Sequence, residues 1–69
     1  MSATYEEGRA VGIDKARRDL VEHQRIALGW AAARVNIIDA RSPGWRSEYT
    51  RGYTDGYRSV LVGFIHSRA

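Results

Sequence analysis

Sixty-nine residues with no cysteine and one proline make one small domain, and they exclude a disulfide framework, a thiolate metal site and a cysteine nucleophile. Eleven basic against eight acidic residues leave a net charge of +3, carried by ten arginines and Lys15. Arginine suits bidentate contacts to carboxylate or phosphate, although GC-rich coding enriches it equally.

A chain this short buries only about 60% of its unfolded surface and is marginal alone, so a partner or a second copy is expected. Met1 to Glu7 contains two acids and no basic n-region or following apolar stretch, which predicts a chain without a signal peptide and a cytoplasmic location. The most apolar segment, Ile26 to Ile38, is interrupted by Arg34 and Asn36 and falls short of the roughly 20 apolar residues a spanning helix needs, so no membrane role is expected.

The first predicted helix starts at Thr4, a capping hydroxyl with Glu7 placed to close a capping box, and runs to about residue 39. Gly8, Gly12 and Gly29 each cost roughly 1 kcal/mol relative to Ala, which makes Gly12 and Gly29 the candidate break points. At helical spacing, Tyr5, Gly12, Ile13, Ala16, Leu20, Ala27, Ala31 and Ile38 share one face, opposite Glu7, Asp14, Arg18, Glu22 and Arg25. From Ile26 onward the apolar residues spread around most of the circumference, more than one neighbouring helix can cover.

The densest turn-forming cluster, Asp39 to Gly44, separates the helices. Ser42 as N-cap with Pro43 at the first helical position starts a second helix over residues 43–67. Trp45, Tyr49, Gly52, Tyr53, Gly56, Tyr57, Val60, Gly63 and Phe64 fall within an arc of about 140°, and Glu48, Arg51, Asp55 and Arg58 form a separate solvated stripe of alternating charge. No alternation of strand type occurs, so the fold class is all-α: a two-helix antiparallel hairpin, about 4–39 and 43–67, forming one domain over 1–69.

A short turn would place facing residues at numbers summing to about 82. Gly52 would lie near Trp30, Tyr49 near Ala33, Gly56 near Ile26 and Ala27, and Gly63 near Leu20, with Gly52, Gly56, Ser59 and Gly63 as a small-residue packing seam. Tyr5-x-x-Gly8-x-x-x-Gly12 recurs as Tyr49-x-x-Gly52-x-x-x-Gly56, so both helix starts present one aromatic-plus-glycine packing surface. A hairpin has a single contact layer, which predicts a homo-oligomer, most simply a dimeric four-helix bundle. Its interface would use Ile26, Leu28, Trp30, Val35, Ile37, Val62 and Ile65.

For chemistry the residues offer little. His23 and His66 belong to no metal-binding spacing, and His23 reads as an inward, hydrogen-bonded histidine near Ser59. The carboxylates mostly have arginines three or four residues away and read as solvated ion pairs. No phosphate-binding glycine loop or nucleophile elbow occurs, so neither catalytic residues, nor a metal, nor a cofactor is expected.

Binding is the remaining class. Arg9, Arg17 and Arg34 intrude on or border the apolar face of the first helix, and an inward arginine must find a carboxylate, a carbonyl or an external anion. With Tyr53 and Tyr57 they make a possible anion, nucleotide or single-stranded nucleic-acid contact between subunits. The bland alternative buries the tyrosine rings in the core and pairs the arginines with acids.

The segment Glu48-Tyr-Thr-Arg-Gly-Tyr-Thr-Asp-Gly-Tyr-Arg58 resembles the Tyr/Gly/Arg-rich helical segments of small uncharacterised proteins of phages infecting high-GC bacteria. The resemblance covers eleven of the 69 residues and implies an accessory protein acting on a host or viral protein. The expected function is therefore that of a non-enzymatic oligomeric binding protein, with nucleotide or single-stranded nucleic-acid binding as the alternative.

Overall fold

A computed structural model describes residues 4–41 and 47–68. They form three helices, α1 (Tyr5–Glu22), α2 (Ala27–Arg41) and α3 (Glu48–Arg68), and contain no strand. The all-α expectation therefore holds, but three helices stand where a two-helix hairpin was expected.

The Thr4 cap is as predicted, its Oγ1 accepting from the Glu7 N–H at 3.1 Å. The expected long helix does not break at Gly12 or Gly29; it turns at residues 23–26. There the His23 N–H and the His23 Nδ1 both lie on the Asp19 carbonyl, at 3.0 and 2.9 Å. A carbonyl only accepts, so Nδ1 carries the proton. The Ile26 N–H donates to the His23 carbonyl at 2.9 Å, and the Trp30 N–H to the Ile26 carbonyl at 2.9 Å restarts the helix. The imidazole stacks on Trp30 with centroids 4.6 Å apart and planes within 9°, so His23, hydrogen-bonded as expected, clamps the turn through Asp19 and Trp30. His23→Ala is expected to lower stability by about 1–2 kcal/mol, read from thermal melts of helicity, because the ring hydrogen bond and the stack are lost together.

The reversal at residues 23–26 changes every expected register. It is α1, not α2, that packs most extensively on α3, while α1 barely touches α2. The two helices run parallel and interlock through their glycines. A methyl built on Gly8 would stand 2.0 Å from the Tyr49 carbonyl oxygen, and one on Gly12 2.1 Å from that of Tyr53. Reciprocally, a methyl on Gly52 would stand 1.9 Å from the Tyr5 carbonyl oxygen, and one on Gly56 2.3 Å from that of Arg9. Each backbone thus fills the notch left by the other, at a distance where Cα–H groups meet carbonyl oxygens. The repeated Tyr-x-x-Gly-x-x-x-Gly is the reason: its two copies form the two halves of one contact and exchange roles across an approximate two-fold axis.

Gly52 and Gly56 therefore pack on Tyr5 and Arg9, not on Trp30 and Ile26. The other half of the expected seam is absent. Ser59 is exposed, its hydroxyl bonded to the Gly56 carbonyl at 2.9 Å, and Gly63 has open space where its side chain would be. Past Gly56 the facing residues are no longer glycines, and larger side chains such as Leu20 and Phe64 join the core cluster instead.

On its other side α3 meets α2 in an antiparallel arrangement further along than expected, because α3 begins at Glu48. Ser47 caps it, Oγ accepting from the Thr50 N–H at 3.1 Å; the expected Ser42–Pro43 start lies outside the described residues. Arg58 and Asp39 fix this register, with Nε 2.7 Å and the second guanidinium nitrogen 3.2 Å from the two carboxylate oxygens. Both side chains are about half exposed, so solvent screens the pair and it sets register more than it adds stability. Asp55 on the same stripe accepts from the Tyr5 hydroxyl at 2.6 Å, so the stripe is bonded to both neighbouring helices.

The resulting core is small. Ala16, Ala31 and Leu61 are fully buried, with Ala27 and Tyr57 nearly so, and Leu61 is the single large side chain with no exposure among the described residues. The molecule measures 39 × 22 × 17 Å, and its thinnest dimension is less than two helix diameters of about 10–12 Å. There is one contact layer on each side of α3 and no deeper interior.

Candidate functional site

Where the three helices converge, a cleft of about 230 Å³ opens between them. Lys15 and Asp19 reach it from successive turns of α1, and Tyr53, Thr54 and Tyr57 from α3. From α2 come Arg34, Ile37, Ile38 and Arg41, whose spacing keeps them on one face.

Asp19 is the buried acid at its base, 6% exposed. It accepts from the Lys15 ammonium at 3.0 Å through one oxygen and from the Tyr57 hydroxyl through the other. Burial alone would push the carboxyl up, but the Tyr57 hydroxyl and the Lys15 ammonium more than offset it and hold Asp19 below its ordinary value. Tyr57 is pushed up to about 12 by its burial and by donating to Asp19, with Arg34 acting in the opposite sense. The carboxylate charge is thus already spoken for inside the protein.

Around this base the walls are aromatic and cationic. Tyr53 is half-buried and stacks on Tyr57 with centroids 6.1 Å apart and planes at 22°. Arg34 lies with its guanidinium carbon 5.7 Å from the centre of the Trp30 ring. Among the described residues neither Arg34 nor Arg41 forms an ion pair within 4 Å, and both are exposed.

Of the residues expected to contact an anion, the structure brings Arg34, Tyr53 and Tyr57 together in one chain, with no second subunit needed. Arg9 and Arg17 do not join them. Both are exposed, and Arg9 serves α3 through its backbone, its carbonyl lying over Gly56. Lys15, Asp19 and Arg41 were missed as site residues. The four-residue spacing of Lys15 and Asp19 was a visible signal for their pairing, but the burial of Asp19 follows from a helix packing that periodicity does not reveal.

The residues expected at an oligomer interface divide. Trp30, Val35 and Ile65 pack against the core of their own chain, Val62 is half-buried, and Ile37 lines the cleft. Ile26 and Leu28 are exposed, at 64% and 47%, beside Val21 at 70%. These three form an apolar corner where α1 turns into α2. Val21 and Leu28 line a groove of about 490 Å³ together with Leu20 and Phe64, with Arg25 and Arg68 also in its lining.

Among the described residues no cluster of histidine and carboxylate side chains has the grouping to hold a metal ion, and no helix is long and apolar enough to cross a membrane. Compared with known proteins, the chain matches no family model, no curated protein and no solved structure.

Proposed function

We propose that this chain is a non-enzymatic binding protein that works as a homo-oligomer, and that the assembly docks on another protein. What supports this reading above all is the apolar corner: Val21, Ile26 and Leu28 all lie outside a core in which Leu61 is the largest fully buried side chain. Monomers usually cover aliphatic surface of this kind, and a chain with so small a core gains most by burying it against a second copy.

Charge favours the second copy as occupant. Glu22 and Arg25 flank the corner, both exposed and neither in an ion pair among the described residues. In a two-fold contact the Glu22 of one copy meets the Arg25 of the other while the aliphatic side chains pack between them. The partner protein is, on the Tyr/Gly/Arg resemblance, a phage or host protein that binds the assembled form.

Light scattering behind size exclusion tests the assembly. The wild-type chain elutes with twice the monomer mass, and Ile26→Glu, which buries a charge in the corner, elutes as a folded monomer. A wild-type monomer, or a dimer indifferent to Ile26→Glu, overturns the reading.

A further inference from the structure

We propose a second binding site in this molecule: the three-helix cleft takes a nucleotide unit, with its phosphate on Arg41 and its base against Tyr53 and Ile37. The inference is independent of self-association, because one chain supplies every residue it uses.

The charges give the sign of the ligand. Lys15, Arg34 and Arg41 bring three cations to the cleft against the single carboxylate of Asp19, which is buried and accepts from both Lys15 and Tyr57. Arg34 and Arg41 are two turns apart on the same face of α2; Arg34 lies near enough to act on the Tyr57 hydroxyl and the Asp19 carboxylate, while Arg41 forms no ion pair among the described residues. The Arg41 guanidinium, in no ion pair among the described residues, offers forked donors that match phosphate oxygens. Between Arg34 and Arg41 stands Ile37, 46% exposed, so the cationic positions are separated by an apolar surface.

The wall chemistry narrows the class further. Sulfate or inorganic phosphate would use Arg41 and leave the aromatic wall idle. Tyr53 is half-buried and supported from behind by Tyr57, whose hydroxyl is anchored to Asp19, so the outer ring is held as a platform. An aromatic platform beside cations is the recurring means of holding one base and its phosphate. Thr54 adds a hydroxyl to the same wall. Size sets the upper limit: about 230 Å³ lies below the roughly 300–1,000 Å³ of drug-sized pockets and is too little for a dinucleotide or a duplex.

The unit can be a free nucleoside monophosphate or the phosphorylated end of a single strand, and calorimetry at low salt separates the two. Adenosine and guanosine monophosphates, inorganic phosphate, and a short oligodeoxynucleotide with and without a 5′-phosphate are titrated into the full chain. Binding of the monophosphates, at least about tenfold tighter than inorganic phosphate, is the expected result. Tighter binding of the 5′-phosphorylated strand than of the monophosphates assigns the site to strand ends, and the reverse assigns it to free nucleotides.

Arg41→Gln, an exposed change at the end of α2, is expected to weaken binding about tenfold, as loss of a charge-assisted hydrogen bond implies, with circular dichroism unchanged. Arg17→Gln, equally exposed and outside the cleft, leaves it unaltered. The monomeric Ile26→Glu variant binds as the wild type does, which keeps this test separate from that of self-association. No binding of any nucleotide, an affinity equal to that for inorganic phosphate, or equal weakening by Arg17→Gln and Arg41→Gln overturns the proposal.

Discussion

Replacing Gly12 by alanine is expected to cost at least about 3 kcal/mol, whereas the same replacement at Gly29 is expected to stabilise the chain. At Gly12 the added methyl would stand 2.1 Å from the Tyr53 carbonyl oxygen. The obstacle is helix backbone, so no side chain can swing aside, and α1 and α3 must move apart along their whole interface. Overpacking costs about 1–3 kcal/mol where neighbours yield, and more where they cannot. Total stability at about 0.05–0.15 kcal/mol per residue comes to roughly 3–10 kcal/mol for a chain this short, so the change removes much or all of it. Gly8→Ala, Gly52→Ala and Gly56→Ala meet the same obstacle from either side. Gly29 and Gly63 have nothing within 4 Å of the added methyl, and there alanine gains its helix-propensity advantage of about 1 kcal/mol. Urea unfolding followed by circular dichroism at 222 nm reads both directions; equal midpoints for Gly12→Ala and Gly29→Ala would show that the helices do not touch at this point.

Asp19→Ala is the second large effect, about 3 kcal/mol, because it leaves a buried tyrosine hydroxyl without its acceptor and Lys15 without its counter-charge. The same pair gives stability a pH dependence whose sign follows from the two shifts. Asp19 is held below its ordinary value of 3.8 in the folded chain, so its contribution is complete above that value and is lost as pH falls through the lowered one. Tyr57 is raised from 10.0 to about 12, so its contribution is complete below pH 10 and is lost as pH rises towards 12. Between these limits the pair leaves stability flat. Urea midpoints measured across pH should therefore fall on both sides, with Tyr57→Phe shrinking the alkaline limb. Lys15 and Tyr5, both raised through their carboxylate partners, keep part of that limb in the variant. An alkaline limb unchanged by Tyr57→Phe would contradict the Asp19–Tyr57 bond.

What the sequence discloses here depends on how local its cause is. The Thr4 cap, the helical character of the described residues and the packing role of the duplicated Tyr-x-x-Gly-x-x-x-Gly were legible, because hydroxyl capping and small-residue spacing act within a turn or two; that the two copies pack on each other was not. The break at residues 23–26 was not. Gly12 and Gly29 are the weak helix formers, yet both sit inside helices, and the chain turns instead where His23 can bond the Asp19 carbonyl and stack on Trp30. The stack on Trp30 crosses the turn and exists only once it has formed. The candidate site was half legible for a related reason. Arg34, Tyr53 and Tyr57 carry suspicious chemistry on their own, while Asp19 and Arg41 read as ordinary polar-face residues until three helices bring them to one cleft.

The parallel pairing of α1 with α3 also governs how this chain reaches its native state. Its principal contacts join residues near opposite ends, such as Tyr5 with Asp55, 50 positions apart, and Asp19 with Tyr57, 38 apart. Neighbouring helices in an ordinary hairpin bundle dock early through local contacts and fold fast, but here α1 has scant contact with α2 and must wait. Closing the intervening segment costs on the order of 3 kcal/mol of loop entropy before the glycine interface returns anything. During synthesis α1 therefore emerges without its mate, and its notches stay open until α3 has left the ribosome.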